Sequence, residues 1–118
     1  MAKKILIAED EKQIVEFLSL RLEESGYEFI CAYTGPEALE KARSEKPNLI
    51  LLDYTLPKMK GTEVCRQIKS DPSLCHIRVI LLSAYREDQI SGRDLADAYI
   101  GKPYDPDELL NKIKELLA

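Results

Sequence analysis

Apolar residues in this chain fall into two kinds of run that take turns from one end to the other. Ile5-Leu6-Ile7-Ala8, Leu49-Ile50-Leu51-Leu52 and Val79-Ile80-Leu81-Leu82 are unbroken aliphatic stretches, with no polar residue interleaved. A strand that shows one face to water alternates apolar and polar side chains. Unbroken runs therefore mark strands covered on both faces, as in a parallel sheet flanked by helices. The stretch from Tyr27 to Tyr33 is more mixed and suits an edge strand, and Ala98-Tyr99-Ile100-Gly101 is a short candidate for the opposite edge.

Between these runs the spacing changes to that of a helix. Ile14, Phe17, Leu18 and Leu22 define the inward stripe of a first helix that stops near Ser25-Gly26. Pro36 suits the first turn of a second helix carrying Ala38, Leu39 and Ala42, and Pro47 lies just past its end. A third helix follows Gly61, with Val64 and Ile68 inward. Asp105-Pro106-Asp107-Glu108 supplies a cap, a first-turn proline and an acid three residues on, ahead of Leu109, Leu110, Ile113, Leu116 and Leu117. The stretch from Tyr85 to Asp97 has only Ile90 and Leu95 as strong apolar anchors. It also contains Gly92, which costs a helix about 1 kcal/mol relative to Ala, so a short or mobile helix is expected there. Strands and helices thus alternate as (βα)5, which predicts an α/β fold with a doubly wound, five-stranded parallel sheet.

The 118 residues suffice for one domain, residues 1–118, with a core that needs no metal or disulfide staple. Lys and Arg number 17 against 21 Asp and Glu, for a net charge of −4, so direct nucleic-acid binding is disfavoured. The longest apolar runs fall far short of the roughly 20 residues that cross a bilayer, and no signal peptide or membrane span is expected. Cys31, Cys65 and Cys75 form no CxxC pair or Cys/His cluster; they are read as packing residues of a cytoplasmic protein. His76, the sole histidine, belongs to a polar connection from Pro72 to Arg78 and is read as a loop residue.

In a doubly wound sheet, ligands bind beyond the carboxyl ends of the strands, where the strand order reverses. Glu9-Asp10 follow the first strand, Asp53 the third, Ser83 the fourth and Lys102-Pro103 the fifth. Taken singly, each has a plain structural explanation. Acids stabilise a helix N-terminus, Asp53 can open the turn before Tyr54-Thr55-Leu56-Pro57, serine can end a strand, and lysine is ordinarily solvated. Together they differ: if the first and third strands are neighbours, three carboxylates converge, an arrangement that repels itself unless a cation is bound. Oxygen ligands of this kind suit Mg²⁺, which keeps several waters and leaves room for phosphate.

The acidic pair, Asp53 with Pro57 and Gly61 after it, Ser83-Ala84 and Lys102-Pro103 together resemble the receiver (response regulator) domain of bacterial two-component signalling. The likeness runs over essentially the whole chain from Lys4. The resemblance implies a flavodoxin-like sheet with strand order 2-1-3-4-5. It implies that Asp53 accepts a phosphoryl group from a phosphohistidine on a sensor histidine kinase or histidine phosphotransfer protein. Asp10 and Asp53 would hold Mg²⁺ through their side chains and Thr55 through its backbone carbonyl, while Glu9 would act mainly through metal-bound water. Lys102 would pair with one phosphoryl oxygen, the Ser83 hydroxyl would donate to another, and small Ala84 would leave access for the donor. Tyr99 would move inward as Ser83 is drawn to the phosphoryl group, and Lys102-Pro103 would be a cis peptide. The stretch between Ser83 and Lys102 is shorter than in most family members and lacks their usual Gly-Ala pair.

On this resemblance the chain is a signalling domain rather than an enzyme. Phosphoryl transfer onto it would be self-catalysed and its loss slow, and it would pass the signal to a downstream protein as a monomer or weak phosphorylation-dependent dimer. With no linker after Ala118, a stand-alone receiver is expected, the alternative being a module of a longer regulator or hybrid kinase. A Mg²⁺-dependent phosphohydrolase of the haloacid dehalogenase type would carry Asp-x-Asp after its first strand, whereas here the acid follows the third and its +2 residue is Thr55. A flavodoxin-like electron carrier would not place Glu9-Asp10 where a flavin phosphate must bind.

Overall fold

The three aliphatic runs become the three central strands of the sheet. A computed structural model describes residues 2–85 and 95–118. Its strands are β1 (Lys4–Ala8), β2 (Glu28–Ala32), β3 (Leu49–Asp53), β4 (Arg78–Ser83) and β5 (Ala98–Gly101). Its helices are α1 (Lys12–Glu24), α2 (Gly35–Glu45), α3 (Gly61–Ser70) and α4 (Pro106–Leu117). The helix expected between Tyr85 and Asp97, with Ile90 and Gly92, falls on residues 86–94 and lies outside the described residues. All strand pairs are parallel, in the order β2-β1-β3-β4-β5.

Successive side chains of a strand point to opposite faces, so each run feeds two cores. Leu6, Ile50, Leu52, Val79 and Leu81 pack with Leu39 of α2 and Val64 and Ile68 of α3. Ile5, Ile7, Leu49, Leu51, Ile80 and Leu82 pack with Val15, Leu18 and Leu22 of α1 and Leu109 and Ile113 of α4. Each such side chain contributes about 1.5–3 kcal/mol on leaving water. The local stops act as expected. Gly26 takes φ +89° just after α1, where the chain reverses and Tyr27 N–H donates to the Leu22 carbonyl. Thr34 and Asp105 cap α2 and α4, accepting from Glu37 N–H and Asp107 N–H.

Two expectations need correction. The buried residues of α1 are Val15, Leu18 and Leu22, while Ile14 is half-buried and Phe17 is 47% exposed. Helical spacing sets which residues share a face but not how the helix is rotated on the sheet, and Val15 takes the inward place given to Phe17. Of the cysteines only Cys65 is fully buried; Cys31 is half-buried and Cys75 is exposed beside exposed His76 in the 71–77 connection.

At the outer edge of the sheet, the Ala32 carbonyl of β2 faces inward and accepts from Glu9 N–H. The preceding carbonyl, of Cys31, must then face outward, and there the Lys41 ammonium donates to it. At the end opposite the carboxyl ends of the strands, Asp97 fastens the start of β5. Its Oδ2 accepts from Val79 N–H and Lys69 Nζ, both at 2.8 Å, its Oδ1 from Arg78 at 3.3 Å, and Lys69 also reaches the Ile77 carbonyl at 2.8 Å. Burial opposes ionisation of Asp97, but the bonds from Lys69 and Val79 outweigh it and hold the carboxyl below its usual range. A depressed carboxyl stabilises the fold above its unfolded pKa of about 3.9, and that contribution is lost as pH falls through the folded value. Asp97→Asn is therefore expected to cost about 1–3 kcal/mol in urea melts at pH 7. The deficit should narrow only below about pH 4; an equal deficit at pH 7 and pH 3 would show that charge is not the cause.

Candidate functional site

Three polar side chains are buried among the described residues, and all three stand where strands end: Glu9 at 1% exposure, Asp53 at 3% and Ser83 at 1%. The sheet order explains why they meet. β3 lies between β1 and β4, with Ala8 level with Leu52 and Asp53 level with Leu82. Residues that end these strands therefore open onto one shallow well. Lys102 reaches it from the end of β5, with Nζ 3.1 Å from Asp53 Oδ1 and 3.2 Å from Glu9 Oε1. Exposed Asp10 completes the acidic group, in which oxygens of Glu9, Asp10 and Asp53 all lie within 4.8 Å of one another.

The well is held in shape by backbone contacts. Glu9 Oε2 accepts from Glu11 N–H at 3.2 Å. Tyr54, next to Asp53, donates its N–H to the Leu82 carbonyl at 2.8 Å and accepts at its own carbonyl from Gly61 N–H at 2.9 Å. A Cβ on Gly61 would sit 2.5 Å from the Asp53 carbonyl oxygen, so no side chain fits where α3 starts. The Lys102-Pro103 bond is cis, as the resemblance implied.

The electrostatics follow from this crowding. Burial, and then the charge of Asp53, push the Glu9 carboxyl above its usual range against the pull of Glu11 N–H and Lys102. Lys102 answers in the opposite sense: burial works against its charge, yet Asp53 and Glu9 outweigh burial and raise its pKa. A cluster of three carboxylates with one ammonium keeps a net negative charge. Its donors are all hard oxygens, a set that suits Mg²⁺ and not a soft metal.

The other expected residues flank the well. Ser83 ends β4, and its Oγ accepts from Tyr85 N–H at 3.0 Å. Thr55 is exposed at the mouth, where its hydroxyl donates to Asp53 Oδ2 at 3.2 Å. That side-chain contact was missed in the sequence; a hydroxyl two residues past a strand-end aspartate was the signal available. Half-buried Tyr99 lies on β5 and donates its hydroxyl to the Tyr85 carbonyl. A groove of about 490 Å³ also went unforeseen; it runs beside Lys102 between Ile14 and Phe17 of α1 and Ala84, Pro103 and Tyr104.

A family model described as the response regulator receiver domain matches residues 5–114. The alkaline phosphatase synthesis transcriptional regulatory protein PhoP of Bacillus subtilis is 43% identical over 118 residues, which cover 99% of this chain and 49% of that protein. The chain thus spans about half the length of the curated relatives it matches. Among solved structures, a response regulator receiver domain protein (CheY-like) from Methanospirillum hungatei JF-1 superposes with a TM-score of 0.91 at 38% identity, over 99% of this chain and 94% of that one. The signal receiver domain of a signal transduction histidine kinase from Syntrophus aciditrophicus gives 0.91 at 37% identity, over 98% and 90% of the two chains.

Crowding the acids costs stability that the charge-removing variant should restore. In chelator at pH 7, Glu9→Gln is expected to raise the melting midpoint by about 4 °C, the shift that roughly 1 kcal/mol produces at this length. Because the folded carboxyl is raised, ionising it opposes folding above that value. As pH is lowered toward the ordinary Glu value of about 4.3, folded wild type takes up the proton first and the gap closes. A lower midpoint for Glu9→Gln at pH 7 would mean that the Lys102 pair outweighs the crowding.

Proposed function

Because the chain belongs to the response regulator receiver domain family, we propose that residues 1–118 act as a receiver in which Asp53 is the phosphoryl acceptor. The observation that supports this most is the setting of Asp53: buried, level with the end of β4, 3.1 Å from Lys102 and facing Glu9 and Asp10. Asp53 is a carboxylate nucleophile with one oxygen on the Lys102 ammonium and the other on the Thr55 hydroxyl. Attack on the phosphorus of a phosphohistidine forms the aspartyl phosphate as the P–N bond breaks, and the leaving imidazole keeps the electron pair.

Glu9, Asp10, Asp53 and the Thr55 backbone carbonyl would hold Mg²⁺, whose charge, when bound, offsets that of the phosphoryl oxygens. Lys102 exchanges a carboxylate oxygen for a phosphoryl oxygen and so travels with the new charge. Ser83 donates its hydroxyl to a further oxygen, and Tyr99 follows through the β4-to-β5 side, the switch by which the domain signals. Burial of the acceptor keeps water away and makes loss of the phosphoryl group slow. The reaction ends on the chain itself, as suits a signalling domain.

The donor is a sensor histidine kinase or a histidine phosphotransfer protein. The apolar groove beside Lys102, with Phe17 exposed on its α1 wall, is where the surface carrying the phosphohistidine docks. The net charge of −4 leaves nucleic acid aside, so the downstream contact is a protein, reached as a monomer or a phosphorylation-dependent dimer. Among the described residues no helix is long and apolar enough to cross a membrane, and we place the domain in the cytoplasm, where its three cysteines stay reduced.

Acetyl phosphate is expected to add one phosphoryl mass to wild type only when Mg²⁺ is present, and none to Asp53→Asn, as read by intact-mass spectrometry. Equal labelling of the two would remove Asp53 from the role. Phe17→Ser should slow transfer from a phosphorylated histidine kinase about tenfold, or about 1.4 kcal/mol in the barrier, while leaving acetyl phosphate labelling at the wild-type rate. Equal slowing with both donors would place the defect in the acceptor site instead of the groove.

A further inference from the structure

We infer that Tyr54 and Tyr85 form a second coupling element that ties the acceptor strand to Tyr99 without passing through Ser83, an inference that rests on the acceptor role proposed for Asp53. Tyr54 adjoins Asp53, and its main chain is fastened on both sides, to Leu82 and to Gly61. Its Cα is therefore tied to the acceptor's backbone, and a shift of that backbone carries the ring with it. That ring meets the Tyr85 ring nearly at right angles, 80°, with centroids 5.6 Å apart, and Lys60 Nζ lies 5.4 Å from its centroid. Edge-to-face geometry aims the positive rim of one ring at the negative face of another, and the ammonium adds a second attraction on Tyr54.

Tyr85 is 53% exposed, so burial alone does not dictate where its ring rests. Three contacts hold the residue, one through its ring and two through its main chain. Tyr54 holds the ring from β3, the Ser83 hydroxyl oxygen accepts the N–H from β4, and the Tyr99 hydroxyl of β5 binds the carbonyl. The atom to which Tyr99 is bonded thus belongs to a residue with two separate inputs. One input is the hydrogen bond from Tyr85 to Ser83. The other is the ring contact, which follows the turn after Asp53. A displacement of that turn on phosphoryl transfer shifts the Tyr85 carbonyl and with it the partner of Tyr99, even where the Ser83 hydroxyl is missing.

The test is hydrogen exchange over residues 95–101 with and without Mg²⁺ and beryllofluoride, run beside acetyl phosphate labelling. Ser83→Ala is expected to keep a reduced response. Tyr54→Leu and Tyr85→Leu, which keep apolar bulk and remove the ring pair, should each cut the wild-type response at least twofold with labelling within twofold of wild type. Ser83→Ala combined with Tyr85→Leu should abolish it. Tyr85 is largely exposed, so its variant decides the matter if Tyr54→Leu folds poorly. A full wild-type response in Tyr85→Leu with normal labelling overturns the second route. Failure of wild type to label at Asp53 overturns the acceptor role instead.

Discussion

One ammonium shared between two buried carboxylates sets the terms for everything around it. Lys102 lies 3.1 Å from Asp53 and 3.2 Å from Glu9, at a place where neither acid has much water to solvate its charge. Removing the Lys102 ammonium strands two buried carboxylates, whereas removing one carboxylate leaves the ammonium still paired with the other. Yet the arrangement remains short of one positive charge with Glu9 and Asp53 ionised, and Asp10 stands alongside. The cluster is thus left with an excess of negative charge that a bound cation would offset. In the acceptor role proposed for Asp53, the same lysine would pass from a carboxylate oxygen to a phosphoryl oxygen.

Such a cluster is tolerable only on a stiff frame. The frame comes from strands buried on both faces, whose aliphatic side chains fill a core on each side of the sheet. Asp97 and Lys69 fasten one end of β4 and β5, and the polar residues crowd the other. Stability is concentrated away from the chemistry, which lets the strand ends carry charges that a core would reject.

Much of this was legible in the chain before its folding was known. Three unbroken aliphatic runs, too short for helices and rich in β-branched residues, identify buried parallel strands, and residues directly after such strands gather on one edge. That is why Glu9, Asp10, Asp53, Ser83 and Lys102 could be named together. What escaped notice depends on rotation and reach. Phe17 shares helical spacing with Leu18 and Leu22, yet spacing is silent on which flank of the helix turns to the sheet. The exposure of Cys75 follows from the 71–77 connection, whose path has no periodic signature. The hydroxyl of Thr55 on Asp53 and the ring of Tyr85 on Tyr54 join residues through side-chain directions that one-dimensional pattern cannot carry.

The Lys41 ammonium seated on the Cys31 carbonyl has a consequence beyond the single bond. β2 is an outermost strand, and an open strand edge is a template on which another chain can add its own strand. A flexible cation placed over an outward carbonyl occupies one rung of that template and makes the approach of a foreign backbone costly in desolvation. A foreign strand adding to the β2 margin would first have to displace this cation from its carbonyl.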